Sequence, residues 1–166
     1  MKNTKRTFYL LAILLAATIP AFSQKAEPTF LVSVEGGKSV TMKAKDLAAL
    51  PRVEVKIKDH DGADVVYSGV ELRSILASAG AKFGGELRGP MIGQYLVISA
   101  ADGYHAVFSL TELDPEFTDD TVILADKIGG KPLDAKYGPW QVVATGEKKH
   151  ARMVRQVTTL QVYRAK

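Results

Sequence analysis

The chain has 166 residues, a formal net charge of +4 and no cysteine. Without cysteine it has no disulfide, no thiolate ligand for a metal and no site for a lipid anchor. The length suits one domain built around one hydrophobic core.

The N-terminus is typical of a secretory signal peptide. Three cations precede an apolar run over residues 8–19, and Ala-Phe-Ser at residues 21–23 suits cleavage after Ser23. The run is short for a membrane span, so we expect no stable membrane anchor, and an uncleaved anchor is the alternative. Lys5 stands where a twin-arginine signal has its first arginine, which favours the general secretory route without excluding the other. We expect a periplasmic or secreted mature domain over residues 24–166.

The positive charge belongs largely to the signal peptide. Removing residues 1–23 leaves 143 residues and removes three cations, so the net charge falls from +4 to +1. A nearly neutral domain lacks the broad basic surface that nucleic-acid binding requires. We therefore predict no nucleic-acid partner, and the remaining cations are concentrated near the C-terminus.

Hydrophobic periodicity predicts short strands and helices in the first half of the mature chain. The predicted elements are a strand over 30–35, a helix over 43–50, and a hairpin of strands over 52–58 and 64–68. Gly69 is predicted to open a helix whose apolar stripe is Leu72, Ile75, Leu76 and Ala79, with Gly80 as its C-terminal cap.

The second half continues the same pattern. A central strand is predicted over 94–101, with a hairpin partner over 104–108. Ser109 and Glu112 form a capping box that begins a short helix, which Pro115 ends. Further strands are predicted over 121–126, 140–145 and 157–163. Many short strands with few short helices predict an α+β domain with mixed β-sheets.

The loop between the last two strands, residues 146–156, is a candidate anion-binding site. Its cationic side chains are Lys148, Lys149, His150, Arg152 and Arg155. Bidentate arginine contacts and loop amides are suited to phosphate or another small anion. The alternative is a solvated turn in which Arg152 pairs with an acid such as Asp102 or Asp126.

The turn between the strands at 94–101 and 104–108 is a second candidate. Asp102, Tyr104 and His105 could line a pocket and contact a polar ligand. The alternative is hairpin chemistry, in which Asp-Gly forms the turn and the tyrosine ring packs locally. A metal site of His60, His105 and His150 is a further hypothesis, although their spacing does not require it.

An ordered set of segments resembles a known family. The segments are GVELRSILASAG at 69–80, DGY at 102–104, VILADKIGGKPL at 122–133, and Gly138, Pro139, Gly146, Arg152, Arg155 and Val162. Together they resemble the molybdopterin-binding domain of the sulfite oxidase family, and most closely its short secreted single-domain members. The resemblance covers roughly residues 30–163. It implies a sulfite oxidase-type α+β fold and a molybdenum–pterin cofactor.

The resemblance also implies where the cofactor would bind. In enzymes of the family a cysteine ligates the metal just past a strand that resembles residues 50–58, and that position falls near Asp61. A carboxylate is a poor replacement for a soft thiolate. The tail resembles the family better, because Arg152 and Arg155 match an arginine and a lysine near the cofactor phosphate. Gln156 replaces the tryptophan that usually follows.

Three functions remain open at this point. The missing cysteine favours a non-catalytic exported domain that binds a small anionic ligand, with no cofactor expected. It equally allows an accessory subunit that binds a redox protein of the cell envelope. The alternative is a molybdopterin-dependent oxidoreductase with a metal site that contains no cysteine.

Overall fold

The computed structural model describes residues 27–59 and 61–165, and within them the chain forms ten strands and two α-helices. The strands are β1 Thr29–Val34, β2 Val40–Lys43, β3 Arg52–Lys58, β4 Asp64–Glu71, β5 Gln94–Ala100, β6 His105–Ser109, β7 Val122–Ile128, β8 Lys131–Pro132, β9 Gln141–Ala144 and β10 Val157–Arg164. The α-helices are α1 Ala44–Ala48 and α2 Leu72–Ser78, and 3₁₀ turns lie at Gly84–Glu86, Gly89–Gly93, Leu110–Leu113 and His150–Arg152.

The first sheet has the strand order β2-β1-β10-β5-β6. β1 and β10 are parallel, and the other neighbours are antiparallel. β5 lies between β10 and β6, so the predicted central strand and its hairpin partner are confirmed. β2, which sequence periodicity did not predict, adds a four-residue strand at the edge beside β1.

The second sheet has the order β3-β4-β7-β8, and β9 also pairs with β7. The prediction that Gly69 opens a helix is wrong, because β4 continues to Glu71 and α2 begins at Leu72. Gly69 lies at a register shift where β4 meets β7. A Cβ atom there would lie 2.1 Å from the carbonyl oxygen of Leu124, so the glycine is required by the neighbouring strand.

The main core contains side chains from both sheets and from α2. Leu72, Ile75 and Leu76 are fully buried, which confirms the predicted apolar stripe. Trp140 packs edge-on against Phe30, with 4.8 Å between the ring centroids. The predicted α+β class with short helices is therefore confirmed, but only the first of the two sheets is mixed, since all pairs of the second are antiparallel.

A smaller core lies on the other face of the second sheet. Its buried side chains include Val55, Ile57, Ile123 and Val143 from the strands. Met153, from the turn over residues 146–156, belongs to the same cluster. We call residues 146–156 the tail turn. The buried Met153 thus packs the tail turn against the second sheet, and the polar side chains of the turn lie around that face of the sheet.

Two sequence predictions concern the capping box at Ser109 and the N-terminal segment. The capping box of Ser109 and Glu112 is present, but the helix it begins is a single 3₁₀ turn at Leu110–Leu113. No helix among residues 27–59 and 61–165 is long and apolar enough to cross a membrane. The predicted signal peptide, residues 1–23, lies outside the described residues, and the single domain over 24–166 stays a prediction.

Candidate functional site

A cleft of about 270 Å³ opens between the tail turn and the second sheet. Its floor includes Ile57 and Met153 of the smaller core. The polar side chains that line it are Asp59, Asp61, Tyr67, Tyr137, Gln141, His150 and Arg155. We call this the Arg155 cleft. It brings the predicted anion-binding tail together with the turn at which the family resemblance places the missing metal ligand.

Arg155 is the cation of this cleft. Its side chain is exposed and lies over the ring of Tyr137, 4.5 Å from the centroid. Within residues 27–59 and 61–165 it has no carboxylate within ion-pair distance. The adjacent Gln156, in a left-handed conformation (φ 49°), donates its amide to the Tyr137 carbonyl at 3.0 Å and its side chain to the Ala135 carbonyl at 2.7 Å. These bonds hold Arg155 beside Tyr137 and leave its charge available to a ligand.

Gln141 supplies a buried amide to the same cleft. It is only 4% exposed and lies on the face of β9 that also carries Val143 of the smaller core. Its Oε1 atom has no hydrogen-bond partner in the described part of the chain. A buried unsatisfied polar atom costs about 1–3 kcal/mol, so a ligand that satisfied this amide would recover part of that cost.

The turn after β3, which carries Asp59 and Asp61, forms the wall of the cleft opposite Arg155. Asp59 has a structural role, because its Oδ1 accepts hydrogen bonds from the amides of Asp61 and Ala63, each at 2.9 Å. The side chain of Asp61 is exposed and lines the cleft. Deeper in the cleft, burial raises the pKa of Tyr67, and Tyr137 raises it further, while Arg155 opposes both. Tyr67 therefore stays a neutral hydrogen-bonding phenol at physiological pH.

Arg152, the other arginine of the predicted site, is occupied by protein acids. It donates through Nε to Glu147 at 2.8 Å and through Nη1 to Glu112 at 2.9 Å and to the Val107 carbonyl at 3.1 Å. It also lies 4.1 Å above the Phe108 ring. The ion pairing considered from the sequence is therefore present, but the expected partner was wrong.

The acids expected to pair with Arg152 have other partners. Asp126 forms a bidentate pair with Arg52, at 3.1 and 2.5 Å. Glu112, which does pair with Arg152, has a lowered pKa. Burial alone would raise that pKa, but the Ser109 amide and the Arg152 guanidinium stabilise the charged carboxylate more strongly.

The turn at residues 102–105 contributes only in part. Asp102 accepts from the Tyr104 amide at 2.9 Å, which is the hairpin chemistry considered as the alternative. The Tyr104 hydroxyl donates to the Ala151 carbonyl at 2.7 Å and so braces the tail turn. Asp102 and Tyr104 line a second hollow with Arg155, whereas His105 contacts Ser99 (3.0 Å) and lines neither cavity.

Lys148 and Lys149 lie on the other side of the tail turn. With His150 they line a depression of about 650 Å³, together with Lys56 and Lys58 of β3. The cationic residues predicted as one site are thus divided among three environments. Arg155 lines the cleft, Arg152 is paired internally, and the lysines line a separate groove. Whether any of them binds an anion stays a prediction.

Sequence reasoning missed three members of the cleft: Tyr67, Tyr137 and Gln141. Gln141 is the one polar residue of the otherwise apolar strand Gln141–Ala144, but no sequence motif marks any of the three as a ligand. Among the described residues no group of three or more histidine, aspartate or glutamate side chains could hold a metal. The three-histidine hypothesis includes His60, which lies outside the described residues.

No family model and no curated protein matches this sequence. Among solved structures the chain is similar to the sulfane dehydrogenase SoxCD from Paracoccus pantotrophus, with a TM-score of 0.64 and 20% sequence identity. The match covers 81% of this chain but only 38% of the SoxCD chain. At this identity the similarity shows a shared fold, and the chain spans well under half of that enzyme chain.

Proposed function

We propose that this chain is an exported, non-catalytic domain with the sulfite oxidase-type molybdopterin-binding fold, and that it binds a small anionic ligand in the Arg155 cleft. The observation that carries the proposal is that one cleft is lined by Arg155, which has no carboxylate partner among the described residues, and by Gln141, whose buried Oε1 has no hydrogen-bond partner there. Arg155 would bind the anionic group, and the amide of Gln141 would bind a polar atom of the same ligand. The rings of Tyr67 and Tyr137 supply flat apolar walls.

The chain does not fit the molybdenum–pterin centre that the resemblance implies. The position that resembles the metal-ligating cysteine falls near Asp61, and the whole sequence contains no cysteine. The polar groups that line the cleft with Asp61 are oxygen donors, the imidazole of His150 and the guanidinium of Arg155, and the one sulfur of the lining is the buried thioether of Met153. Such a donor set is poorly matched to a centre that uses thiolate ligation. We therefore derive no redox step for this cleft.

A thermal-shift screen of the mature domain, residues 24–166, tests the binding proposal. The probes are inorganic phosphate, sulfate and a pterin monophosphate, at equal ionic strength. A ligand that binds the folded state raises the melting temperature according to its concentration relative to Kd. We expect a shift that disappears in Arg155→Met and persists in Arg152→Met. A shift that is lost in Arg152→Met and kept in Arg155→Met would overturn the assignment of the site.

The alternative function is a molybdopterin-dependent oxidoreductase with a metal site that contains no cysteine. The family resemblance supports it, and the donor set opposes it. Metal analysis of the protein purified from its native cell envelope separates the two. Stoichiometric molybdenum that is retained through gel filtration would overturn the non-catalytic proposal. Its absence, together with an Arg155-dependent ligand shift, would support that proposal.

A further inference from the structure

β3 is an open edge of the second sheet. Among the described residues it pairs only with β4. The amide of Asp59 donates to the Ala63 carbonyl at 2.9 Å, which marks a hydrogen-bonded pair just beyond the strand end. Since such pairs alternate along an antiparallel ladder, the backbone groups of Lys56 and Lys58 point away from β4. Those groups are available to another extended chain.

Lysines surround this free edge. Lys56 and Lys58 project from β3, and Lys148 and Lys149 project from the tail turn across the depression of about 650 Å³. We call this the lysine groove. It adjoins the Arg155 cleft, and Ile57, Asp59 and His150 line both.

The groove has an excess of positive charge. Lys56 and Lys58 share a single carboxylate, that of Asp64. Lys148 and Lys149 have no carboxylate within 4 Å in the part of the chain that the structure describes. Of the other two acids that line the groove, Glu147 is paired with Arg152, and Asp59 accepts two backbone amides of its own turn through Oδ1. A ligand for this groove should therefore be acidic.

We propose that the lysine groove binds an acidic, extended segment of a partner protein, which adds to β3 as an edge strand. The free backbone groups of Lys56 and Lys58 would pair with the segment, as in other cases of strand addition. Acidic side chains at alternate positions of the segment would lie opposite Lys56 and Lys58. Lys148 and Lys149 would close over its other side.

Backbone pairing is the reason to prefer a peptide over other polyanions. Lysines on an edge strand also protect it against self-association, and that role needs no partner. The groove differs from a merely protected edge because a second pair of lysines, on the tail turn, faces the strand across an open volume. A nucleic acid could use the lysines but would form no ladder with β3.

The test uses the mature domain and a fluorescein-labelled decapeptide in which glutamate alternates with threonine. Fluorescence anisotropy measures binding, and hydrogen exchange by NMR follows single amides. We expect saturable binding that weakens with salt, together with slower exchange of the Lys56 and Lys58 amides. The double variant Lys148→Ala/Lys149→Ala should weaken binding roughly three- to tenfold. The matched double variant Lys127→Ala/Lys131→Ala, on the β7–β8 hairpin, should leave binding unchanged.

Two further probes distinguish strand addition from binding to the lysine side chains alone. A decapeptide of the same sequence with an N-methyl group on every residue cannot donate to β3 from either edge, and we expect it to bind at least tenfold more weakly. Equal binding of both peptides, or no slowing of exchange at Lys56 and Lys58, would overturn strand addition. Equal binding of a single-stranded DNA of the same charge would overturn the choice of an acidic peptide. None of these results bears on ligand binding by Arg155, which the thermal-shift screen tests separately.

Discussion

Replacing Arg152 with methionine should lower the free energy of unfolding by about 2 kcal/mol while leaving anion binding in the Arg155 cleft intact. The guanidinium donates to two carboxylates, of Glu112 and Glu147, and to the Val107 carbonyl. A charge-assisted bond contributes about 1.5–3 kcal/mol when it is buried. The Arg152 side chain is 36% exposed, so solvent screening reduces each ion pair to about 1 kcal/mol or less.

Loss of the cation–π contact with Phe108 lowers the free energy of unfolding by a further amount of about 0.5–1 kcal/mol. The methionine side chain replaces most of the apolar stem of the arginine, so little apolar packing is lost. Urea unfolding followed by circular dichroism measures the change. Arg155→Met is the matched control and should cost less than about 1 kcal/mol, because within the described residues the Arg155 side chain loses only its contact with Tyr137. An unchanged urea midpoint in Arg152→Met, together with loss of the ligand-induced thermal shift, would show that Arg152 binds the ligand and does not stabilise the fold.

Three further predictions concern stability. Gly69→Ala should destabilise the fold by more than about 3 kcal/mol in urea unfolding, because its Cβ would overlap a β7 carbonyl oxygen at 2.1 Å. Gly85→Ala is the control: a Cβ there has no atom within 4 Å, so its stability should be within about 1 kcal/mol of wild type in the same assay. Because the pKa of Glu112 is lowered in the folded state, its stabilisation is present above the ordinary glutamate pKa and is lost as the pH falls through the lower folded-state value. Glu112→Gln should therefore flatten the acid limb of the stability–pH curve, and an unchanged limb would contradict this. Asp114→Ala should cost about 2–4 kcal/mol in thermal unfolding. Its buried carboxylate accepts from the amides of Gly84 at 2.5 Å and Glu116 at 3.2 Å and lies 3.8 Å from Nε of Arg73. A loss below about 1 kcal/mol would show that the loop does not depend on these contacts.

The fold class was predictable because its signals are local. Alternation of apolar residues defines β3 from Arg52 to Lys58 in both sequence and structure. The stripe on α2 and the capping box at Ser109 were likewise visible within a few residues. The start of α2 was wrong because the function of Gly69 is set by β7, more than fifty residues away along the chain. From the sequence alone, a glycine does not show whether it begins a helix or allows the backbone of a neighbouring strand to approach closely.

The candidate site was predictable only in part, since its geometry depends on distant contacts. The sequence and the resemblance selected Arg152 and Arg155 as equivalent anion ligands. The structure distinguishes them, because Arg152 meets Glu112, forty residues earlier, while Arg155 lies over Tyr137. Gln141 was missed because an isolated glutamine at the start of an apolar strand has no motif. Its significance comes from burial without a partner.

The most direct test of the central claim is to map anion binding residue by residue. A ¹⁵N-labelled mature domain is titrated with inorganic phosphate and with a pterin monophosphate, and amide chemical shifts are followed by NMR. We expect saturable changes around Tyr67, Tyr137, Gln141 and Arg155, which are absent in Arg155→Met. Changes confined to the surroundings of Glu112, Glu147 and Arg152, or uniform weak changes at exposed lysines, would contradict this claim.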